Sequence, residues 1–200
     1  IWTSLKEELQ NIQKHQHKEA GLKLFLNLKY KKYFRKTSLK QKNIGDLFLD
    51  IIQKKNPKTF LEIGIFHGVT ARNVCELMFK NHGDNFNYIG VDLFGGDQDV
   101  YKDEIEPTFL KDQKFSNPLK NIYYNYILKE NLNSIKSVSK LLKKYTNNIK
   151  LIAGDTNKVL KELDLQNIDF TFLDGGHSYQ TVINDCLLYT SDAADEQDRV

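Results

Sequence analysis

Cysteine, proline and long apolar runs are all scarce in this sequence, and each shortage closes off a class of protein. Cys75 and Cys186 are its two cysteines, too few for the disulfide framework that holds many small secreted domains together. No apolar stretch approaches the roughly 18 residues that a membrane-spanning helix needs, so no span is expected. The run from Ile1 lacks the basic, apolar, small-residue order of a signal peptide. A reducing, cytoplasmic setting is therefore the expectation. What remains is a chain of 200 residues, 40% hydrophobic and 28% charged, enough for one ordinary α/β core and little for two.

Acidic residues are sparse at the amino-terminal end. Residues 1–58 hold 14 Lys/Arg against 5 Asp/Glu, a surplus of nine, whereas residues 59–200 hold 15 against 21, a deficit of six. The run Lys29, Lys31, Lys32, Arg35, Lys36 could track phosphates or anionic lipid. Lysine and asparagine pervade the whole chain, however, and charged runs commonly form a solvated helix face. Nucleic acid is accordingly not the expected partner.

Apolar spacing from Ser4 to Lys36 (Leu5, Leu9, Ile12, then Leu22 to Leu28) reads as helices. Asn43 is placed to cap another helix carrying Ile44, Leu47, Phe48, Ile51 and Ile52, which ends before Asn56-Pro57. From Thr59 short apolar runs closed by Gly or Asp alternate with helical spacing. Strands are expected at 59–65, 87–93, 149–153 and 168–173, with helices over 69–80, around 132–142 and over 159–163. Residues 95–130 lose clear periodicity and read as an insertion. Four strands separated by helices require crossover connections, which predicts a parallel, doubly wound α/β sheet that binds ligands beyond the carboxyl ends of its strands.

The first strand-turn-helix reads Glu62-Ile63-Gly64-Ile65-Phe66-His67-Gly68. Its glycines permit a tight turn and close ligand approach, and the amides at the helix start attract an anionic group. The dinucleotide fingerprint G-x-G-x-x-G is missing, which disfavours NAD. Glu62 could receive a ligand ammonium or cap a neighbouring loop. Asp92 could accept both hydroxyls of a ribose, or form a turn before Gly95-Gly96. Asp155 could meet an adenine amino group or cap the helix begun by Thr156. Together with Asp174, these residues place an acidic group at the carboxyl end of each successive strand. His67 reads as a loop residue lining the pocket, and His15, His17 and His82 as surface histidines.

Glu62-Ile63-Gly64 through Gly68, Asp92, Gly154-Asp155 and the run Leu173-Asp174-Gly175-Gly176-His177-Ser178-Tyr179 resemble class I methyltransferases that use S-adenosylmethionine. Over residues 44–185 the resemblance is to the methyltransferase-24-like O-methyltransferases. It implies a Rossmann-like fold in which Glu62, Gly64 and Gly68 hold the methionine part, Thr70 its carboxylate, Asp92 the ribose and Asp155 the adenine. Phe66, Thr156 and Asp174 complete the implied cofactor contacts. By similarity to metal-dependent relatives, Asp174 would also ligate a divalent ion such as Mg2+, and His177 would take the proton from an acceptor hydroxyl. A small molecule or glycan is the implied acceptor. The rivals are an NAD- or nucleotide-sugar-binding enzyme and a non-catalytic module that uses the basic arm.

Three regions are thus expected: a helical extension over 1–42, a partial cofactor-binding domain over 43–185, and a non-native tail over 186–200. The tail, Cys186-Leu187-Leu188-Tyr189-Thr190-Ser191-Asp192-Ala193-Ala194-Asp195-Glu196, resembles an in-frame translation of a transposase-type sequencing adapter. Methyltransferase sheets of this kind have seven strands, so a four-strand piece is expected to be poorly soluble and inactive.

Overall fold

In the computed structural model of the chain, the described residues are 29–41, 43–94, 115–163, 167–175 and 183. Helix α1 (Ile44–Lys55) leads into strand β1 (Thr59–Ile63), helix α2 (Val69–His82) and strand β2 (Asn87–Asp92). Helix α3 (Pro118–Ile122) continues into a π-helical turn, Tyr123–Ile127. Helix α4 (Ile135–Leu141) and a 3-10 turn, Lys143–Asn148, precede strand β3 (Ile149–Ala153), helix α5 (Thr156–Glu162) and strand β4 (Phe170–Leu173).

The four strands form one sheet in the order β3-β2-β1-β4, every described pair parallel. The expected doubly wound sheet is therefore present. Alternating side chains of β1 feed two separate cores, since successive residues in a strand face opposite sides. Phe60 joins Phe48, Ile52, Val74, Leu77, Met78, Tyr88 and Val138 on the face covered by α1, α2 and α4. Leu61 and Ile63 join Val91 and Leu160 on the face covered by α5. Tyr88, Phe60 and Phe170 stand at paired positions on β2, β1 and β4, their rings stacked at 6.1 and 5.2 Å. Such cross-strand aromatic contacts pin the register.

Three local expectations need correction. Residues 29–36 were expected to be helical; they form an irregular strap with a turn at residues 33–35, where Tyr33 and Phe34 adopt φ of 46° and 60°. Left-handed residues interrupt a helix, and the strap's backbone bonds instead to distant side chains. Tyr30 N–H donates to Asp46 Oδ1 at 2.7 Å and Lys31 N–H to Asn73 Oδ1 at 2.9 Å. Asn43 precedes α1, but its side chain makes no capping bond because the residue itself is left-handed (φ 72°). The described part of the insertion is partly helical. Asn117 Oδ1 caps α3 by accepting Leu119 N–H, and Pro118 takes the first helical position. Because α3 buries none of its residues, no apolar periodicity announced it.

Among the described residues no helix is long and apolar enough to cross a membrane.

Candidate functional site at the carboxyl rim of the sheet

Strand β1 is apolar apart from Thr59 and Glu62, so the fold carries the Glu62 carboxylate inside, where the residue is 1% exposed. Its partner is the Tyr88 hydroxyl, which donates to Oε2 at 2.7 Å. Register explains the meeting: Phe60 pairs with Tyr88 and Glu62 with Gly90, so all four positions share one face. A Cβ at Gly90 would lie 3.0 Å from Tyr88 Cε1 and 2.5 Å from Ile65 Cδ1. The missing side chain is what lets the phenol reach Glu62. Burial pushes Glu62 well above the ordinary carboxylate range; the Tyr88 hydrogen bond opposes this, and the nearby Asp174 and Asp92 add to it. No described cation forms an ion pair with Glu62.

Beyond β1 the chain bends at Gly64, whose φ of +87° and close quarters exclude a side chain. A Cβ there would fall 2.2 Å from the Asp174 carbonyl oxygen. Gly64 N–H donates to Val91 O at 2.9 Å, and Asp174 N–H donates to Ile63 O at 2.8 Å, so the exits of β2, β1 and β4 are locked together. Phe66 is also left-handed (φ 53°), and its N–H donates to Asp92 Oδ2 at 2.7 Å. Phe94 N–H donates to Asp92 Oδ1 at 2.7 Å. Burial raises the Asp92 pKa, and these amides pull it back. The turn-forming reading of Asp92 thus holds geometrically; an ionised carboxylate oxygen can accept a second donor, so a ribose role is compatible with it.

Gly68 opens α2, and Thr70 lies buried in its first turn with Oγ1 at 2.8 Å from the Tyr30 hydroxyl. On the far side, Gly154 N–H donates to Asp92 O at 3.1 Å. The Asp155 carbonyl accepts Lys158 and Val159 N–H at the start of α5, where Thr156 is half-buried. Asp174 Oδ2 accepts the Ser38 hydroxyl. Glu62, Asp92 and Asp174 are therefore gathered on one rim around the glycine turn, with Asp155 beside them at the end of β3. His177 lies outside the described residues.

His67 lies in the loop between β1 and α2, as expected, but buried within it. It is 2% exposed and stacks on Phe66 at 3.9 Å, and its Nδ1 accepts Lys36 N–H at 3.2 Å. Burial, helped by the charges of Arg35 and Lys36, pulls its pKa down to about 3. The shift favours the neutral imidazole, the form whose Nδ1 can accept the Lys36 N–H. His82, expected at the surface, is half-buried.

Two contributors escaped sequence reasoning. Tyr88 was signalled, in retrospect, by the alternation Tyr88-x-Gly90-x-Asp92 opposite Phe60-x-Glu62. The strap had no comparable signal: Arg35 donates to His67 O at 3.0 Å and to Ser137 Oγ at 3.1 Å, contacts spanning 32 and 102 positions. Among the described residues no group of three or more His, Cys, Asp or Glu could hold a metal ion.

The family model described as a methyltransferase domain matches residues 61–195, from the middle of β1 onward. The chain belongs to the methyltransferase domain family. It is a class I methyltransferase domain, with the all-parallel sheet and glycine turn that its motifs implied. No curated protein matches the chain.

Proposed function

We propose that this methyltransferase domain binds S-adenosylmethionine along the carboxyl rim and serves the methylation of a hydroxyl on a small molecule or glycan. The observation that carries the reading is the convergence of Glu62, Asp92 and Asp174 around the Gly64 turn, with Glu62 buried and without a described counter-cation. A ligand bearing an ammonium group would supply the charge this pocket lacks and return Glu62 to its ionised form.

In this reading Glu62 takes the ammonium of the methionyl part, while Gly64, Phe66 and Gly68 supply close backbone and Thr70 a hydroxyl for its carboxylate. Asp92 accepts the ribose hydroxyls; Asp155 and Thr156 border the adenine. When bound, the cofactor offers a methyl group on a cationic sulfur, open to in-line displacement by an oxygen nucleophile. Holding the acceptor close to that methyl accounts for most of the rate. His177 accepts the acceptor's proton, a role resting on its place in the Asp174-Gly175-Gly176-His177-Ser178-Tyr179 run. A divalent ion such as Mg2+ on Asp174 is a subsidiary part of the proposal and rests on resemblance alone.

The basic-arm rival loses ground at Arg35, whose guanidinium is spent on His67 and Ser137 within the chain, while Lys31 pairs with Glu76 at the surface at 2.8 Å. Calorimetric titration with S-adenosylhomocysteine and with NAD tests the cofactor assignment. Heat with the first and none with the second is expected; the reverse pattern would replace the reading with an oxidoreductase.

A further inference from the structure

The strap before α1 crosses the same rim that the proposed cofactor would use. Tyr30 lays its ring against α1, where a Cβ at Gly45 would come within 2.4 Å of Cγ, and its hydroxyl stands 2.8 Å from both Thr37 Oγ1 and Thr70 Oγ1. Burial pushes the phenol up to about 12; its hydrogen bonds to Thr37 and Thr70 oppose this, and the nearby Glu62 and Asp174 carboxyls add a little to it. Next, Arg35 clamps the glycine turn to α4 through His67 O and Ser137, and Lys36 N–H fixes the His67 ring. Ser38 then closes the crossing with its hydroxyl on Asp174 Oδ2. The hydroxyl anchors of this crossing reach Thr70 at the start of α2 and Asp174 at the exit of β4, while Arg35 ties the turn to α4.

Beside the Arg35 clamp, the groups the strap presents to Thr70 and Asp174 are hydroxyls. A hydroxyl both donates and accepts, so it can serve a carboxylate of the protein or either end of a zwitterionic ligand. The Tyr30 ring packs on the core, so packing alone would be served by a phenylalanine there; the hydroxyl is what reaches Thr70. Resting on the cofactor reading above, we propose that residues 30–38 form the wall over the amino-acid end of the cofactor, with Tyr30 and Ser38 as positioning residues acting through Thr70 and Asp174. This wall makes the site selective for nucleosides that carry an α-amino-acid tail. Residues 30–38 lie upstream of the family match, which begins at residue 61.

Two probes separate this role from a structural one: S-adenosylhomocysteine, and 5′-methylthioadenosine, which keeps the nucleoside and thioether but lacks the amino-acid end. Ser38 is exposed, so Ser38→Ala leaves the core untouched; Tyr30→Phe keeps the ring and removes the hydroxyl. Each substitution is expected to weaken S-adenosylhomocysteine binding by about five- to tenfold, the value of one hydrogen bond, while leaving methylthioadenosine within about twofold. Ser38→Thr should restore the tight complex. Equal losses for both probes, or no loss for either, would overturn the wall. Failure of the unmodified full chain to bind either probe would instead remove the cofactor assignment, and the wall with it.

Discussion

Glu62 and His67 show how single residues here trade stability against the charge state of the site. Glu62 holds a buried carboxylate whose pKa is raised, so its neutral form is the one the fold prefers; that contribution is complete below the ordinary value of 4.5 and is lost as pH rises through the elevated one. Glu62→Gln keeps an acceptor for the Tyr88 hydroxyl and abolishes the titration. The variant should be more stable than the parent at pH 8 in urea unfolding, with the difference shrinking toward pH 4. Loss of S-adenosylhomocysteine affinity in the same variant is the expected functional cost. His67 has the opposite sign. Its pKa falls from 6.5 to about 3, so the unfolded chain binds the extra proton, and stability present above pH 6.5 is lost as pH drops toward 3. Between pH 6.5 and 5 the parent should lose about 2 kcal/mol relative to His67→Asn, which offers a non-titrating acceptor to Lys36 N–H. Parallel pH profiles for the two proteins would rule out the neutral buried imidazole.

At the scale of elements, what could be read in advance was whatever the sequence writes locally. Each strand appeared as a short apolar run closed by Gly or Asp because both faces of the sheet are covered, and β3 was bounded to the residue. Helix α2 declared itself through Val74, Leu77 and Met78 and through Gly83 at its end. The strap and the Glu62–Tyr88 pair stayed hidden, since their bonds join residues far apart in sequence. Acidic positions along the rim were visible, but which oxygen meets which amide depends on register. Caps divide along the same line. Ser134 Oγ accepts Ser137 N–H at 3.2 Å and starts α4, whose Ser137 and Val138 are buried. Ser134→Ala should lower global stability by about 1 kcal/mol in thermal or urea unfolding. The same change at Asn117 should leave the global midpoint unmoved, because α3 buries nothing and can fray alone.

Across the whole molecule, the order β3-β2-β1-β4 puts β1 and β2 inside and leaves β3 and β4 outermost among the described strands. Leu173 at the end of β4 is correspondingly exposed, while Phe60, Leu61 and Tyr88 are buried. Amide hydrogen exchange should therefore be slowest in 60–63 and 88–91 and faster along 170–173. Uniform protection over all four strands would contradict the layered picture. The interior strands also bear the glycine turn and Asp92, so the proposed cofactor rim is expected to share their slow exchange.

The strap carries a practical warning for anyone trimming this chain. A boundary drawn at residue 61, where family likeness starts, would discard α1 along with Tyr30, Arg35 and Ser38. It would wet the Thr70 hydroxyl and the His67 ring, both now sealed from solvent, and strip the cover from Phe60 and Phe172. Expression boundaries for this protein belong upstream of residue 29, on the far side of a stretch that likeness to relatives alone would have thrown away.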